Sequence, residues 1–560
     1  MSEYQNVPQE EGSPASPPLE KFSQKGKPLC ERMFNGKTVA MVNAENRAQK
    51  ARDGVQLKRC LVIWDIFLYG IGSIIGAGIF ILIGIGARLA GPSVALSYVI
   101  SGVGATFAAF AYADFQAQMP VTGSAYLYTY VTWGEFPSWI ACWNMLLAYG
   151  VSSALVGRGW IDYFFRFLGQ LGINLPHFMH HIPIAKFIDL NISAGILTWI
   201  LVMIVLGGVR GAASFNNFVT YFNLFNFAFC ISYGFTFVEW KYISNFFPFG
   251  FTGCLRAAGV IFYSFVGFDL CMCLAEEAKN PKRDMPRGII SAIIFVTSMY
   301  FLLSFVCCGM VSIDSLQNES PVPTAFIDKG QADSAIVISA GVLFAMIAAS
   351  FTGIMGQPRI LYRVAKDGIL CPLFMEVHPK TQVPQNAAII SGLITCAITV
   401  VFTIVFISDV INLGSLAVYS LICLAVIRKR SNNKKRTDVF LFGFWFLTLF
   451  FGFAYNYAWG AVYMLIFFAG MILFFIGLCI EVRAGMANPK VRMIVFENDD
   501  PSQCEFFCCP GIPLVPCIGV FVCLIVMSSI PLVSWGGLVG YNTPPVLIYF
   551  LYTVKRTDID

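Results

Sequence analysis

The sequence predicts an all-α polytopic membrane protein, and three observations support that fold class. Of the 560 residues, 57% are hydrophobic and only 12% are charged, which is about half the charged fraction of an ordinary globular protein. The mean hydropathy is +0.70. Apolar runs of about 20 residues, long enough for a helix to span a bilayer, recur along nearly the whole chain. Because backbone groups in lipid must bond within their own segment, we expect helices as the spanning elements.

About fourteen transmembrane helices are predicted. Their approximate positions are 61–90, 94–119, 134–168, 191–209, 217–239, 256–275, 288–312, 334–356, 386–407, 409–427, 439–457, 459–481, 513–535 and 539–554. The first and third segments exceed the length of a simple bilayer-spanning helix, so we expect them to be tilted, broken or extended beyond the membrane.

The two ends of the chain are predicted to lie outside the bilayer. Residues 1–60 are polar and have no apolar core of a signal peptide, which predicts a cytosolic disordered tail. Residues 555–560 form a short second tail. With the N-terminus in the cytosol, the tails and inner loops hold 30 of the 37 Lys and Arg residues, and the outer loops hold 3. This asymmetry predicts that both termini are cytosolic.

The first segment contains a glycine-rich stretch from Gly70 to Pro92. Each glycine weakens a helix by about 1 kcal/mol relative to alanine. One explanation is close helix packing in lipid, where small residues let backbones approach. The cluster from Ser73 to Gly78 favours a second explanation, an interruption at mid-membrane. The half-helix that follows such an interruption points free backbone N–H groups at it, and these can bind a carboxylate.

The sixth segment has a matching weak point from Phe262 to Asp269. Unwound carbonyl groups at this place can accept hydrogen bonds from an ammonium group. Two interrupted segments, the first and the sixth, imply two five-helix halves in inverted topology.

Several stretches carry a resemblance to a known family. They are GIGSIIGAGIF (70–80), PVTGSAYLYTYVTWGEF (120–136), FYSFVGFD (262–269), AEEAKNPKRDMPRGI (275–289) and PRILYRVAKDGIL (358–370). The chain resembles the cationic amino acid transporter family of the amino acid–polyamine–organocation superfamily. The resemblance implies a leucine-transporter-type fold (5+5 inverted repeat) in a ten-helix core at 61–430, four additional C-terminal helices at 431–554, and alternating access around a central site.

The same resemblance assigns substrate-binding residues at the two breaks. The loop that binds the substrate carboxylate is matched by Ile75, Gly76, Ala77 and Gly78. The unwound part of the sixth helix is matched by Ser264, Phe265 and Gly267, with Phe265 as a lid over the site. Asp269 matches an acidic residue that is linked to proton coupling in bacterial relatives. Capping of the broken helix is the alternative that we favour for Asp269.

Coupling or gating is assigned to two further residues. Glu135 matches an acidic residue of the family, although a position at the inner interface would leave it simply solvated. Asn223 occupies the place of a lysine in bacterial relatives, and this leaves proton coupling open.

Substrate specificity is assigned to the eighth helix. Ile347 aligns with a small polar residue of carriers for arginine and lysine, and a shift of three residues brings Ser350 into that place. An aliphatic side chain offers a cation no polar contact, so neutral amino acids remain an alternative.

The sequence therefore predicts a secondary amino acid transporter for cationic amino acids (arginine, lysine, ornithine). An inside-negative potential would drive their entry, at about 2.3 kcal/mol per charge per 100 mV. The alternatives are a neutral or proton-coupled amino acid transporter and, further away, a transporter-like amino acid sensor. A channel would show a repeated filter or a ring of charges, and neither is present. No constellation of catalytic or metal-ligating side chains is found, so we expect neither an enzyme nor a cofactor.

The expected partners are a small-molecule amino acid and the lipid bilayer, and no nucleic acid. The loop from Gly169 to Leu190 contains no cysteine, so no disulfide-linked single-span partner is expected. Asn318, in the acceptor sequon Asn318-Glu319-Ser320 of an outer loop, is a candidate glycosylation site, with chance occurrence as the alternative. The plasma membrane is the expected location, and an endolysosomal or vacuolar membrane is the alternative.

Overall fold

The computed structural model describes most of the membrane region of the chain. The described residues are 33–34, 36, 39, 41–42, 61–119, 124–173, 176, 181–185, 187–207, 212–274, 278–317, 320–367, 369–378, 383–489, 491 and 507–553. Asn318, the tail 555–560 and most of the tail 1–60 lie outside this set. Of the described residues in the first tail, Val42 is buried in the helical core, and Met33 and Val39 pack against it.

The helices of the first half of the chain are interrupted twice by non-helical or tightened turns inside a predicted span. They are α1 (Ile63–Ile74), α2 (Ala77–Ala90), α3 (Val94–Gln118), α4 (Ser124–Trp133), α5 (Glu135–Leu146), α6 (Ser152–Gln170), α7 (Ile192–Leu206), α8 (Ala212–Phe235), α9 (Trp240–Ile243) and α10 (Gly250–Ile261). A π-helical turn, Leu147–Val151, joins α5 to α6. Two 3-10 turns, Phe262–Phe265 and Phe268–Leu274, continue the segment of α10.

The second half consists mainly of long helices. They are α11 (Pro281–Met310), α12 (Pro321–Asp328), α13 (Ala332–Lys366), α14 (Gln385–Val401), α15 (Ile404–Lys429), α16 (Lys434–Asn456), α17 (Ala461–Ala487), α18 (Leu514–Ser528) and α19 (Leu532–Ile548). The sheet found among the described residues is an antiparallel hairpin of β1 (Ile182–Ala185) and β2 (Ile188–Leu190) between α6 and α7.

The all-α polytopic fold is confirmed, and every predicted segment contains a helix. Within the described residues, eight helices are long and apolar enough to cross a membrane, or nine if α18 and α19, which meet at 108°, form one broken span. The shorter apolar helices α1, α7 and α14 account for part of the difference from the fourteen predicted. The breaks divide single predicted spans into pieces, and α4 and α12 were not predicted because they are too short to span a bilayer.

The long helices of the two halves of the chain pack against one another in pairs. α3 lies along α11, and α6 lies along α13. The additional helix α18 packs on α3 and α15. At the end of α3, Asp114 forms a fully buried ion pair with Arg430 (2.6 Å) and accepts a hydrogen bond from the backbone N–H of Cys509 (3.0 Å). The segment before α18 therefore contacts the end of α3 through a backbone hydrogen bond, and α18 itself packs on α3 and α15.

Candidate substrate site

The first break separates α1 from α2. α1 ends at Ile74, and α2 begins at Ala77 with Gly76 as its N-cap residue and no side-chain hydrogen bond to the cap. The first N–H groups of an α-helix have no partner within the helix, and the helix dipole adds positive potential at the same end. The start of α2 therefore directs unpaired backbone N–H donors into the space next to Gly76 and Ala77.

The second break touches the first at two glycines. Gly267 has a φ of +120°, and a Cβ added there would lie 2.6 Å from the carbonyl oxygen of Ser73. A Cβ added at Gly78 would lie 2.5 Å from the Cα of Ser264. Both distances are far below an ordinary carbon contact of about 3.5–4.0 Å. Glycine is therefore required at both positions to bring the two backbones together.

A tyrosine of α11 connects the two breaks. The hydroxyl of Tyr300 lies 3.1 Å from the carbonyl oxygen of Ile74 and 3.2 Å from the carbonyl oxygen of Ser264. Its single proton is shared between these two acceptors, one on each broken segment. Tyr300 is fully buried, so its hydroxyl holds the two segments in a defined relative position.

A cavity of about 40 Å³ lies between the breaks. It is lined by residues of both breaks and of the facing helices: Ser73, Ile74, Gly76, Ala77, Gly78, Ala148, Tyr149, Ser152, Val156, Tyr263, Ser264, Val266, Gly267, Leu270, Ala349, Thr352 and Gly353. Five of the predicted residues are in this set. The hydroxyl of Ser264 faces that of Tyr98, and neither hydroxyl forms a hydrogen bond of regular geometry with a described residue.

Two of the residues predicted at the breaks do not line the cavity. Ile75 and Phe265 are both buried in the apolar core. The ring of Phe265 packs edge-on against Tyr300, with 5.4 Å between ring centroids, instead of covering the site. Its neighbour Val266 lines the cavity.

Neither of the eighth-helix residues assigned to specificity, Ile347 and Ser350, lines the cavity. Ile347 packs against an apolar cluster that includes Val202 of α7. Ser350 is buried and donates to the carbonyl oxygen of Ser153 at 3.4 Å, so it joins α13 to α6. The α13 residues that line the cavity are instead Ala349, Thr352 and Gly353.

Asp269 lies behind the cavity and is connected to it by one side chain. The hydroxyl of Tyr149, which lines the cavity, donates to Oδ2 of Asp269 at 2.5 Å. The backbone N–H groups of Gly267 and Leu270 also face this carboxylate, which suits the capping role. Asp269 is therefore next to the site without being part of its wall.

The two other residues assigned to coupling lie apart from the cavity. Glu135 is buried at the start of α5 and accepts a hydrogen bond from the hydroxyl of Tyr549 at 3.2 Å. Asn223 is buried on α8, and its side-chain oxygen has no hydrogen-bond partner among the described residues.

Comparison with known proteins identifies the family. The amino acid permease family model matches residues 61–482, which include both breaks and the whole cavity lining. The chain belongs to the amino acid permease family.

Three relatives show the range of this likeness. The permease is 28% identical to the methylthioribose transporter of Bacillus subtilis over 94% of this chain and 98% of that protein. It is 27% identical to the branched-chain amino acid permease BcaP of Bacillus subtilis over 94% of this chain and 99% of that protein. It is 31% identical to cationic amino acid transporter 1 of Arabidopsis thaliana over 70% of this chain, and it spans only 66% of that relative's length. Two of these relatives are transporters by name and the third is a permease by name.

The lining residues at the junction of α5 and α6 were not predicted from the sequence. Ala148 and Tyr149 belong to the π-helical turn, and Ser152 follows it. Such turns often occur at functional sites, because they insert a residue and redirect the side chains that follow. The third predicted segment is mainly apolar around this place, with scattered polar residues such as Asn144 and Ser152, so its hydrophobic pattern carried no distinct signal of the turn.

Proposed function

We propose that the permease is a secondary transporter of α-amino acids. The observation that carries this proposal is the meeting of two backbone breaks at one cavity. The unpaired N–H groups at the start of α2 would bind the α-carboxylate. Carbonyl oxygens of the sixth segment would accept hydrogen bonds from the α-ammonium group, with Ser264 as a further polar contact. Only the part common to all α-amino acids is recognised in this way.

We propose cationic amino acids as the first substrate class. Support comes from the likeness to cationic amino acid transporter 1. A guanidinium or ammonium side chain would find the hydroxyls of Tyr149, Ser152 and Thr352 along the cavity wall. Its positive charge would allow the membrane potential alone to drive entry.

Neutral amino acids are the second candidate, favoured by the charge of the site. The residues that line the cavity include no Asp or Glu, so a cationic side chain would bring its charge into the membrane without a carboxylate to pair with. The likeness to the branched-chain permease over 94% of the chain supports the same candidate.

Uptake by the purified permease in proteoliposomes separates these candidates. Labelled arginine, lysine, alanine and leucine are supplied with and without an imposed potential or pH gradient. We expect uptake of arginine and lysine that rises with an inside-negative potential. Uptake of leucine or alanine in their place would select the neutral class, and dependence on a pH gradient would select proton coupling. If the protein bound one of the four amino acids but took up none of them, the proposed function would be amino acid sensing and not transport.

We also propose that both termini lie in the cytosol, that the plasma membrane is the location, and that no disulfide-linked subunit is needed. An impermeant thiol reagent applied to intact cells tests the topology. It should miss cysteines introduced by Glu3→Cys and Asp558→Cys and should label one introduced by Asp328→Cys. The reverse pattern would invert the orientation. A reducible complex formed through a cysteine of this chain would contradict the third proposal.

A further inference from the structure

A further buried carboxylate lies near the beginning of α15, and it does not line the substrate cavity. Asp409 is only 3% exposed. The hydroxyl of Ser534 on α19 donates to its Oδ2 at 2.8 Å. Its other oxygen, Oδ1, has no hydrogen-bond partner among the described residues. A carboxylate with one neutral donor is poorly stabilised at membrane depth when it is ionised.

The cations on the helices that pack against α15 are engaged elsewhere. Arg158 on α6 pairs with Asp189 at 2.9 Å, and Asp162 of the same helix lies in the field of that arginine. Arg256 on α10 donates to the carbonyl oxygen of Asn456 at 3.5 Å. Within the part of the chain that the structure describes, no basic side chain forms an ion pair with Asp409.

Tyrosine and cysteine side chains on helices that pack against α15 do not supply a counter-charge either. Tyr541 on α19 donates its proton to the carbonyl oxygen of Trp143 at 3.1 Å. Cys142 on α5 and Cys254 on α10 are buried thiols. A proton on the carboxyl group itself is therefore the simplest way to neutralise Asp409.

The same turn of α15 holds the half of the sixth segment that precedes its break. Ser408 donates to the carbonyl oxygen of Val260 at 3.2 Å. The amide of Asn412 donates to the carbonyl oxygens of Gly259 (2.8 Å) and Val260 (2.9 Å). These carbonyls lie in the last turn of α10, directly before Phe262–Phe265. Asp409 therefore lies in the chain between Ser408 and Asn412, the two residues that hold the end of α10. A change in its charge can displace these two donors and with them the half-helix.

We propose that Asp409 is a proton-binding site that controls the position of α10. A proton supplied by the solvent adds to the carboxylate at Oδ1 and gives the neutral acid, without any other bond of the protein being broken. The neutral acid fits the apolar packing between α15 and α19. Loss of the proton leaves an unpaired charge that the surrounding low-dielectric packing solvates poorly, so the ionised form favours a rearranged contact with Ser534 and the end of α10.

Difference infrared spectroscopy of the reconstituted wild-type permease tests proton binding without relying on transport. We expect a carbonyl band of a protonated carboxyl group that is lost on raising the pH. Asp409→Asn should remove this titrating band, and the exposed-residue control Asp328→Asn should keep it. Ser534→Ala should shift the band, because it removes the donor to Oδ2, and this variant serves if Asp409→Asn fails to fold. A wild-type spectrum whose titrating bands are all retained in Asp409→Asn, or all unchanged in Ser534→Ala, would overturn the site.

Uptake measurements test the control of α10 and rest on the proposed transport function. The initial rates of labelled arginine and leucine uptake are followed against pH at a fixed membrane potential. A single titrating group changes a rate by at most about tenfold per pH unit. We expect a change of severalfold in wild type and less than about twofold in Asp409→Asn, while Asp328→Asn behaves as wild type. Equal pH dependence in all three would overturn the control of α10. Absence of uptake in all three would instead count against the transport proposal, with the infrared result standing by itself.

Discussion

Replacement of Gly78 by alanine tests the contact between the two breaks. A Cβ at this position would lie 2.5 Å from Cα, 2.6 Å from Oγ and 2.8 Å from Cβ of Ser264. The first of these atoms is backbone and cannot rotate away, so one half-helix must move by about 1 Å to restore an ordinary contact. Overpacking of this kind costs about 1–3 kcal/mol. If this cost falls on the closed site, substrate affinity drops by roughly 5- to 150-fold.

The assay is substrate affinity from concentration-dependent uptake, with the amount of inserted protein measured in parallel. Gly540→Ala is the matched control, because a Cβ there meets nothing within 4 Å. We expect Gly540→Ala to keep the wild-type substrate affinity. We expect Gly78→Ala to be inserted in the membrane but to bind substrate more weakly. Wild-type affinity in an inserted Gly78→Ala protein would refute the close approach of α2 to Ser264. Gly78→Val should be more severe, since two further methyl groups must also be accommodated.

The remaining predictions concern the same site. Gly267→Ala should reduce affinity more than Gly172→Ala, since both have positive φ but only the first would meet a backbone oxygen, and equal effects would contradict this. Tyr300→Phe removes the hydroxyl shared by the two breaks and should lower the melting temperature, at a cost of about 1–3 kcal/mol; an unchanged melting temperature would show that the bond is unimportant. Thr352→Val should change the arginine-to-alanine uptake ratio by up to about fivefold, whereas Ile347→Ser should lower stability and leave that ratio unchanged. A change of the uptake ratio in Ile347→Ser but not in Thr352→Val would indicate that Ile347, and not Thr352, determines specificity.

The backbone part of the site could be predicted because its cause is local. Gly76 and Gly78 interrupt an apolar run, and Gly267 does the same in the sixth segment. Glycine clusters in a membrane span have a direct conformational consequence, so they mark the break without knowledge of its surroundings. The structure places all three along one cavity.

The side-chain wall could not be predicted in the same way, because it depends on helix rotation. Ile347 and Thr352 lie on one helix, five residues apart, and face different neighbours. A small error in alignment or in helix rotation exchanges a packing residue for a lining residue. Tyr149 was hidden for a similar reason, since a π-helical turn redirects it. The buried pairing of Asp409 with Ser534 joins residues 125 positions apart and has no local signal.

Competition by substrate analogues tests the central claim, that the backbone of an α-amino acid is bound at the two breaks. The substrate found in the uptake panel is compared with its decarboxylated amine and its deaminated acid as inhibitors of labelled uptake. The amine lacks the α-carboxylate and the acid lacks the α-ammonium group, so each analogue loses charge-assisted hydrogen bonds worth about 1.5–3 kcal/mol. We therefore predict that both analogues inhibit at least about tenfold more weakly than the parent amino acid. Inhibition by the decarboxylated amine at the same concentration as the parent amino acid would contradict carboxylate binding at Gly76 and Ala77.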